Sequence, residues 1–417
     1  MRILLISVGT RGDVEPFLAI AEILKEHGQD VVGAFPEQFR DLAADLDMRF
    51  RSLGTEFIDL IESEDGRIAM GGKGSFLNKA KAYIRLYRNS AKINRDLVHR
   101  QHQIVAEESP DRIVFSGKAV YPFLWAINNP HRAILVSAVP CVIHYVKHHP
   151  HVGFNRDFGP FLNKLTYCLA NTALMHTALT ATKDLRKAAN ISGRRVKQAL
   201  LSERIIYTIS PSLFSRPEYW PPNAQVLGYH EREKALNWRP SRELEEFLGK
   251  HTKILLITFG SALNPAPEKK TALFLDILKR NQIPAIINTS AGGLTGPKEY
   301  DTNLIRFVKQ IPYDWVLPKI YGVIHHGGSG TTHMALKYGC ASMIIPHIID
   351  QYLWNDLVSG LGAGPKGVAV NKMTRQNVEY RILDLFHNQS YKAKALELSQ
   401  EMRKERFREQ IYSTIVQ

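Results

Sequence analysis

Six consecutive residues in the second half of the chain, His326-Gly-Gly-Ser-Gly-Thr331, combine an imidazole, three glycines and two hydroxyls. An apolar run from Tyr321 to His325 or His326 precedes them and reads as a strand; Thr331 to Tyr338 then reads as a helix. A strand, a glycine-rich turn and a helix N-terminus offer backbone N–H groups and a positive dipole end to an anion. Ser329 and Thr331 add hydroxyl donors, and His326 can donate to a phosphate oxygen. A plain strand–helix turn, with glycines serving geometry alone, would use the same residues. Further on, past the strand Ser342–Pro346, Asp350-Gln351 sets a carboxylate beside an amide, a pair suited to sugar hydroxyls. The segment is neither a Walker loop, lacking the Gly-Lys-Ser/Thr ending, nor a GxGxxG turn.

A second constellation, Thr10-Arg-Gly-Asp13, follows the first apolar run of the chain. Gly12 is expected to permit the turn, with Asp13 at or just before the start of the next helix. Asp13 is then either a helix cap or, at the C-terminal end of a strand, a general base. Arg11 could pair with a phosphate, orient Asp13, or form a salt bridge at a domain edge.

Both constellations hang on similar strands. Arg2–Thr10 reads RILLISVGT and Lys253–Ser261 reads KILLITFGS. Uninterrupted apolar runs of this kind suit strands buried on both faces of a parallel sheet. Helical periodicity follows each, over Val14–Glu26 and Pro267–Arg280, and then a short apolar strand, Val31–Phe35 and Pro284–Asn288. Two βαβ beginnings predict two doubly wound α/β domains. The proline-rich stretch from Arg216 marks the join, and Ser241 is the expected N-cap of a helix beyond it.

The 417 residues suffice for two or three domains with large cores. Composition excludes a disordered chain, a coiled coil and a disulfide-stapled miniature fold. The 54 Lys+Arg against 40 Asp+Glu, a net +14, call for an anionic partner. Three scattered cysteines show neither a disulfide framework nor zinc spacing and favour a reducing cytosol. The first residues lack a secretory pattern, and the uncharged stretch between Lys164 and Lys183 makes a poor spanning helix. The expected location is the cytoplasm, with peripheral contact on the cytoplasmic membrane face open. Lys73–Arg100 holds eight cations against one acid, Asp96, among Phe76, Tyr83 and other apolar residues. It reads as a basic amphipathic helix, either for an anionic membrane surface or as an ordinary solvated face. No nucleic-acid module is recognisable. Val139–Phe161 is rich in aromatics and histidine, including His144, Phe154 and Phe158. Its histidine spacing matches no metal site. Asp45-Leu46-Asp47 reads as solvated charge at a helix end.

Five ordered blocks carry a family resemblance: Val8–Ala21, Ser210–His230, Phe259–Ala262, Pro312–Thr332 and Ile344–Pro365. Together they resemble the GT-B glycosyltransferases that use nucleotide-diphospho-sugars, the UDP-glycosyltransferase family. The likeness covers nearly the whole chain and is closest to sterol and lipid glucosyltransferases, then to glycopeptide-antibiotic glycosyltransferases. It implies two facing Rossmann-like domains with an interdomain cleft: acceptor-binding over 1–230, nucleotide-sugar-binding over 231–400, and a helix over 401–417 crossing back to the first. It implies an inverting hexosyltransferase that needs no metal or other cofactor. A sugar, glucose foremost, would pass from a UDP- or TDP-sugar to a lipophilic alcohol such as a sterol or other terpenoid. A soluble polyketide, peptide or phenolic acceptor is the alternative, followed by a nucleotide-sugar epimerase and a non-catalytic sugar-nucleotide-binding protein.

Residue by residue, the resemblance gives Asp13 the place of the general base, where many relatives carry histidine, and His326 a place beside the leaving diphosphate. The donor would meet Gly9, Thr10, Arg11, Gly12, Ser261, Val308, Gln310, Ile311, Gly328, Ser329, Gly330, Thr331, Asp350 and Gln351. The acceptor would meet Phe76, Tyr83, His144, Phe154 and Phe158. The tryptophan on which plant relatives stack the base is absent, with Gln310 near its place. Trp354 stands where many relatives carry Asn, and Ala341 replaces a common proline.

Overall fold

A computed structural model describes residues 1–63, 76–202, 204–232, 238–260, 264, 266–289 and 292–417. The chain divides into two compact units. The first comprises Met1–Pro211, Ser215–Arg232 and Arg406–Gln417; the second comprises Ser212–Phe214 and Glu233–Glu405.

The first unit is built on a seven-stranded sheet in the order β3-β2-β1-β4-β5-β6-β7. Its strands are β1 (Arg2–Ile6), β2 (Asp30–Phe35), β3 (Arg49–Ser52), β4 (Arg112–Ser116), β5 (Ala133–Ser137), β6 (Arg204–Tyr207) and β7 (Ala224–Val226), each parallel to its neighbours. The second unit has five parallel strands in the order β10-β9-β8-β11-β12. These are β8 (Leu255–Thr258), β9 (Ala285–Asn288), β10 (Ile305–Val308), β11 (Gly322–His325) and β12 (Ala341–Ile344).

The apolar runs behave as their composition requires. Every residue of Leu255–Thr258 is buried, as is every residue of Ile3–Ile6. The helix Arg11–Glu26 turns Val14, Phe17, Leu18 and Ile20 into the first core, which Ile411 and Ile415 of the last helix, Arg408–Val416, also enter. That last helix is fastened to the first unit by Arg408 on Glu26 at 2.6 Å and by Tyr412 stacked on His27. The helix Pro267–Arg280 covers the second sheet through Phe274, Ile277 and Leu278.

In each sheet the order reverses beside its first strand. β1 lies between β2 and β4, and β8 lies between β9 and β11. Ligands of such sheets bind beyond the carboxyl ends of the strands at this reversal. Register sharpens the point: Ile6 pairs with Phe115, and Thr258 pairs with His325. The segments leaving β1 and β4 therefore emerge side by side, as do those leaving β8 and β11.

Two local expectations need correction. Gly12 does not make the first turn; it lies within the helix that starts at Arg11, and Gly9, at φ +133°, makes the turn. The helix after the glycine-rich turn starts at Ser329, two residues ahead of Thr331, because Gly328 is its extended N-cap.

Candidate functional site

At the carboxyl end of β1, Asp13 is the third residue of its helix. Its Oδ2 accepts from the Thr10 N–H at 2.8 Å and from the Thr10 hydroxyl at 3.2 Å. Its Oδ1 accepts from the Lys118 ammonium at 2.7 Å. Thr10 is therefore the N-cap; Asp13 sits further into the helix than expected, completes the capping box from its third position, and is ion-paired as well. A carboxylate has about four lone-pair sites. Three are filled, so one on Oδ1 is left to receive a proton. The pair is partly exposed, with side-chain exposures of 47% for Lys118 and 27% for Asp13, so water and substrate can reach it.

Lys118 was not among the sequence candidates. It follows β4, whose end lies beside that of β1, and only strand order reveals this. Gly9 makes the arrangement possible, because a Cβ there would strike the Asp13 carboxylate and approach the Lys118 ammonium to 2.9 Å. Arg11 takes the plainest of its three readings: it pairs with Glu15 at 2.9 Å, one helical turn on. Glu15 also holds Arg232, at 3.4 Å.

In the second unit, His326 leaves β11 with its ring between two glycines. A Cβ at Gly260 would come to 2.9 Å of its Cε1, and a Cβ at Gly328 to 2.5 Å of its Nε2. Burial, aided by neighbouring His325 and His347, lowers the His326 pKa to about 3. The ring is therefore neutral near pH 7, and its Nδ1 is buried without a protein partner. A neutral imidazole can donate one N–H to an anion without carrying charge of its own. His325 accepts from the Gly327 N–H at 3.1 Å, which fixes the turn at its base. Gly327 has φ +93° and must be glycine for backbone reasons. At the head of the helix Ser329–Lys337 the Thr332 N–H bonds Gly328 O at 3.0 Å, and the first amides of an α-helix point out of its N-terminus. Such a terminus attracts an anion.

The helix Asp350–Gly360 begins beyond β12 with Ile349 at φ +27°, ψ −100°, a strained setting for a β-branched residue. Gln351 is buried, and its side-chain oxygen accepts from the N–H groups of His347 at 2.7 Å and Ile348 at 3.1 Å. Both lone pairs are used to shape the loop, so a sugar could be met only by its NH2. Asp350 opens the helix beside it. Trp354 is wholly buried against His333 and serves the core.

Val308 and Gln310 line a cavity of about 660 Å³ together with Lys309, Trp238, Arg239 and Ser241. Ile311 is buried and is not part of that lining. Trp238 pairs with Trp315 at 4.8 Å between ring centroids. An indole thus stands at the cavity after all, supplied by the segment before the Ser241-capped helix rather than by position 310. The Asn237-Trp-Arg-Pro sequence was legible only as a join. Ser261 lies outside the described residues.

Of the acceptor candidates, three have described side chains. Phe154 and Phe158 are exposed and meet edge to face at 6.4 Å. His144 belongs instead to an aromatic cluster, bonded to the Tyr207 hydroxyl at 2.9 Å and tilted against Trp220. Burial lowers its pKa to about 4. The side chains of Phe76 and Tyr83 lie outside the described residues, as does all of 64–75. Of the cations in Lys73–Arg100, Arg100 pairs with Glu56 at 3.1 Å, while Leu97 and Val98 of the same helix are buried. Among the described residues, no group of His, Cys, Asp and Glu could hold a metal ion, and no helix is long and apolar enough to cross a membrane.

Residues 3–108 match the glycosyltransferase family 28 N-terminal domain, and residues 286–416 match the C-terminal domain described as erythromycin biosynthesis protein CIII-like. A sterol 3-beta-glucosyltransferase of Arabidopsis thaliana is 29% identical over 397 residues, 91% of this chain and 60% of the relative. The chain thus spans about three fifths of that relative's length. An O-mycaminosyltylonolide 6-deoxyallosyltransferase of Streptomyces fradiae is 25% identical over 386 residues, 90% of this chain and 87% of the relative. Among solved structures, a spinosyn rhamnosyltransferase complexed with thymidine diphosphate superposes with a TM-score of 0.63 at 16% identity, covering 100% of both chains.

Proposed function

We propose, from the premise that the chain belongs to the nucleotide-sugar glycosyltransferases of GT-B fold, that it moves a hexose from a nucleotide-diphospho-sugar to the hydroxyl of a lipophilic alcohol. The observation that carries the reading is the neutral His326 held between Gly260 and Gly328 at the head of a helix N-terminus. Such a cradle suits a diphosphate on which negative charge grows as the sugar departs. Fixed dipoles stabilise that charge without reorganising, which is the main electrostatic resource of such sites.

In this reading the second unit holds the donor. The diphosphate lies on the amides and hydroxyls of Ser329–Thr331 and on His326. Asp350 and the NH2 of Gln351 meet the sugar. The base lies in the cavity of Val308 and Gln310, with Trp238 as its flat apolar wall. UDP is the favoured nucleotide and TDP the alternative; the spinosyn enzyme complexed with thymidine diphosphate keeps the latter in view. The first unit supplies Asp13, which takes the acceptor proton on its remaining Oδ1 lone pair as the oxygen attacks the anomeric carbon from the face opposite the diphosphate. Inversion follows from that single displacement. No metal or other cofactor takes part. Sterols and related terpenoid alcohols lead as acceptors, supported by the Arabidopsis relative; the Streptomyces fradiae relative supports a soluble natural product as the alternative.

The test is a panel of nucleotide sugars against sterols, other terpenoid alcohols and phenols, read by mass. A glycoside of a terpenoid alcohol, lost by ~10²–10⁴-fold in Asp13→Asn while UDP still binds, is the expected outcome. Product on phenols alone would move the reading to soluble acceptors, and a new sugar from donor alone would make the chain an epimerase.

A further inference from the structure

The helix Pro160–Ala181 is inside out. Its buried residues include Asn163 and Thr166, while Phe161 is 84% exposed, Leu169 56%, Leu165 49% and Leu162 47%. With Cys168, also exposed, these positions share one stripe at helical spacing, about 12 Å long at the usual rise. Its orientation is fixed from within. Asn163 donates to Lys147 O at 3.1 Å and to Asp157 Oδ1 at 2.7 Å, and accepts from the Phe158 N–H at 3.1 Å. Thr166 accepts from the His151 N–H at 2.9 Å. The polar face staples the preceding loop, so the apolar face has to point outward. Folded chains seldom leave a contiguous patch of this kind bare.

Charge indicates what covers it. Between Lys147 and Ala181 stand three cations, Lys147, Arg156 and Lys164, all exposed, and one acid, Asp157. Asp157 Oδ1 is already engaged by Asn163 and by the Gly159 N–H at 2.8 Å. Two copies of the chain joined through this face would set three cations of each against three of the other, with a single acid per copy, Asp157, to answer them. A ridge on one helix also offers no groove for a peptide. An anionic bilayer answers both features, since its phosphates meet the cations and its acyl boundary takes the rings and methyls.

We propose that this stripe docks the chain on an anionic lipid bilayer, with Phe161, Leu165 and Leu169 entering the headgroup–acyl boundary and Arg156 and Lys164 among the phosphates. Docking of this kind would bring a membrane-dissolved alcohol to the enzyme, yet the binding itself depends on neither donor nor acceptor.

The molecule carries its own reporter. Cys168 is the one exposed cysteine, since Cys141 and Cys340 are buried. The whole chain, labelled at Cys168 with a polarity-sensitive fluorophore, is mixed with vesicles of phosphatidylcholine containing phosphatidylserine, and with pure phosphatidylcholine, in low and high salt. A blue shift with the anionic vesicles, weakened by salt, is expected. The unlabelled triple variant Phe161→Gln, Leu165→Gln, Leu169→Gln should cosediment at least about tenfold more weakly. Its melting temperature, read alongside, verifies folding, and Lys164→Glu supplies an independent variant with the core untouched. Absence of binding, or binding with no shift at Cys168, overturns the proposal. So does a concentration-dependent dimer abolished by the triple variant, which would assign the stripe to a second copy.

Discussion

At the scale of single residues, the proposed chemistry rests on two side chains whose surroundings set what they can do. Asp13 is held at both oxygens, so its lone remaining acceptor site points one way. Lys118 is a positioning residue in this arrangement. Replacing it with Met should lower kcat by roughly 10-fold while the donor KM changes little, and Lys118→Arg should restore part of the loss. A donor KM that rose instead would place the ammonium on the phosphates. Desolvation keeps His326 uncharged near pH 7, with its pKa lowered to about 3. Trp238 is the residue on which the base reading depends. Stacking of a base on an aromatic ring is worth ~1–3 kcal/mol, so Trp238→Ala should weaken UDP binding by roughly 10–100-fold in a calorimetric titration. Unaltered affinity would remove the indole from the donor site.

At the scale of elements, the glycines divide their labour. Gly327 is required by its positive φ, whereas Gly328 has φ −64°, a conformation open to any residue. Gly328 is needed because a side chain there would displace the His326 ring. Gly328→Ala should therefore leave the melting temperature nearly unchanged and raise the donor KM by about tenfold or more, a separation that a purely conformational glycine would not give. The sequence already held both strands, both following helices to within a few residues, and the Ser241 cap, which accepts from the Leu244 N–H at 3.4 Å. Periodicity and capping chemistry are local, so they can be read from neighbours in the chain. Lys118 and Trp238 escaped that reading because each reaches its place through strand order or a loop path. Gln351 was read as a sugar contact, and its bonds to His347 and Ile348 show that much of its bonding capacity shapes the loop.

At the scale of the whole molecule, charge and burial set how the fold responds to its surroundings. Part of the basic excess is structural. Glu108, with 2% of its side chain exposed, bonds Arg49 at 2.8 Å and Arg51 at 2.6 Å, at the sheet end opposite Asp13. Glu108→Gln should cost about 1–3 kcal/mol, less than a fully buried pair, because the arginines stay within reach of water. In the second unit His325, His333 and His347 are buried and His326 is partly so; desolvation lowers His325 and His326 to about 3 and His333 and His347 to about 4. In the unfolded chain these rings protonate near pH 6.5, whereas in the folded chain they resist protonation until pH 3–4. The stability they contribute is complete above pH 6.5 and declines as pH falls toward 4, by up to ~1.4 kcal/mol per pH unit for each ring. Thermal melts from pH 7 to 4.5 should show a falling transition. A flat profile would mean that the rings are solvated.

The two doubly wound halves, the glycine-rich turn after β11 and the carboxylate after β1 were legible in the chain alone. Those features are written in runs, spacings and caps, which depend on contacts a few residues apart. It took the folded chain to show that Asp13 carries Lys118 on Oδ1, that Gly9 rather than Gly12 makes the turn, and that an indole stands at the cavity of Val308 and Gln310. The tertiary structure also decided that the helix Pro160–Ala181 keeps its asparagine inside and its phenylalanine out. Each of these turns on which segments meet across the sheet order and on which face of a helix finds hydrogen-bond partners. Neither is a property of local sequence.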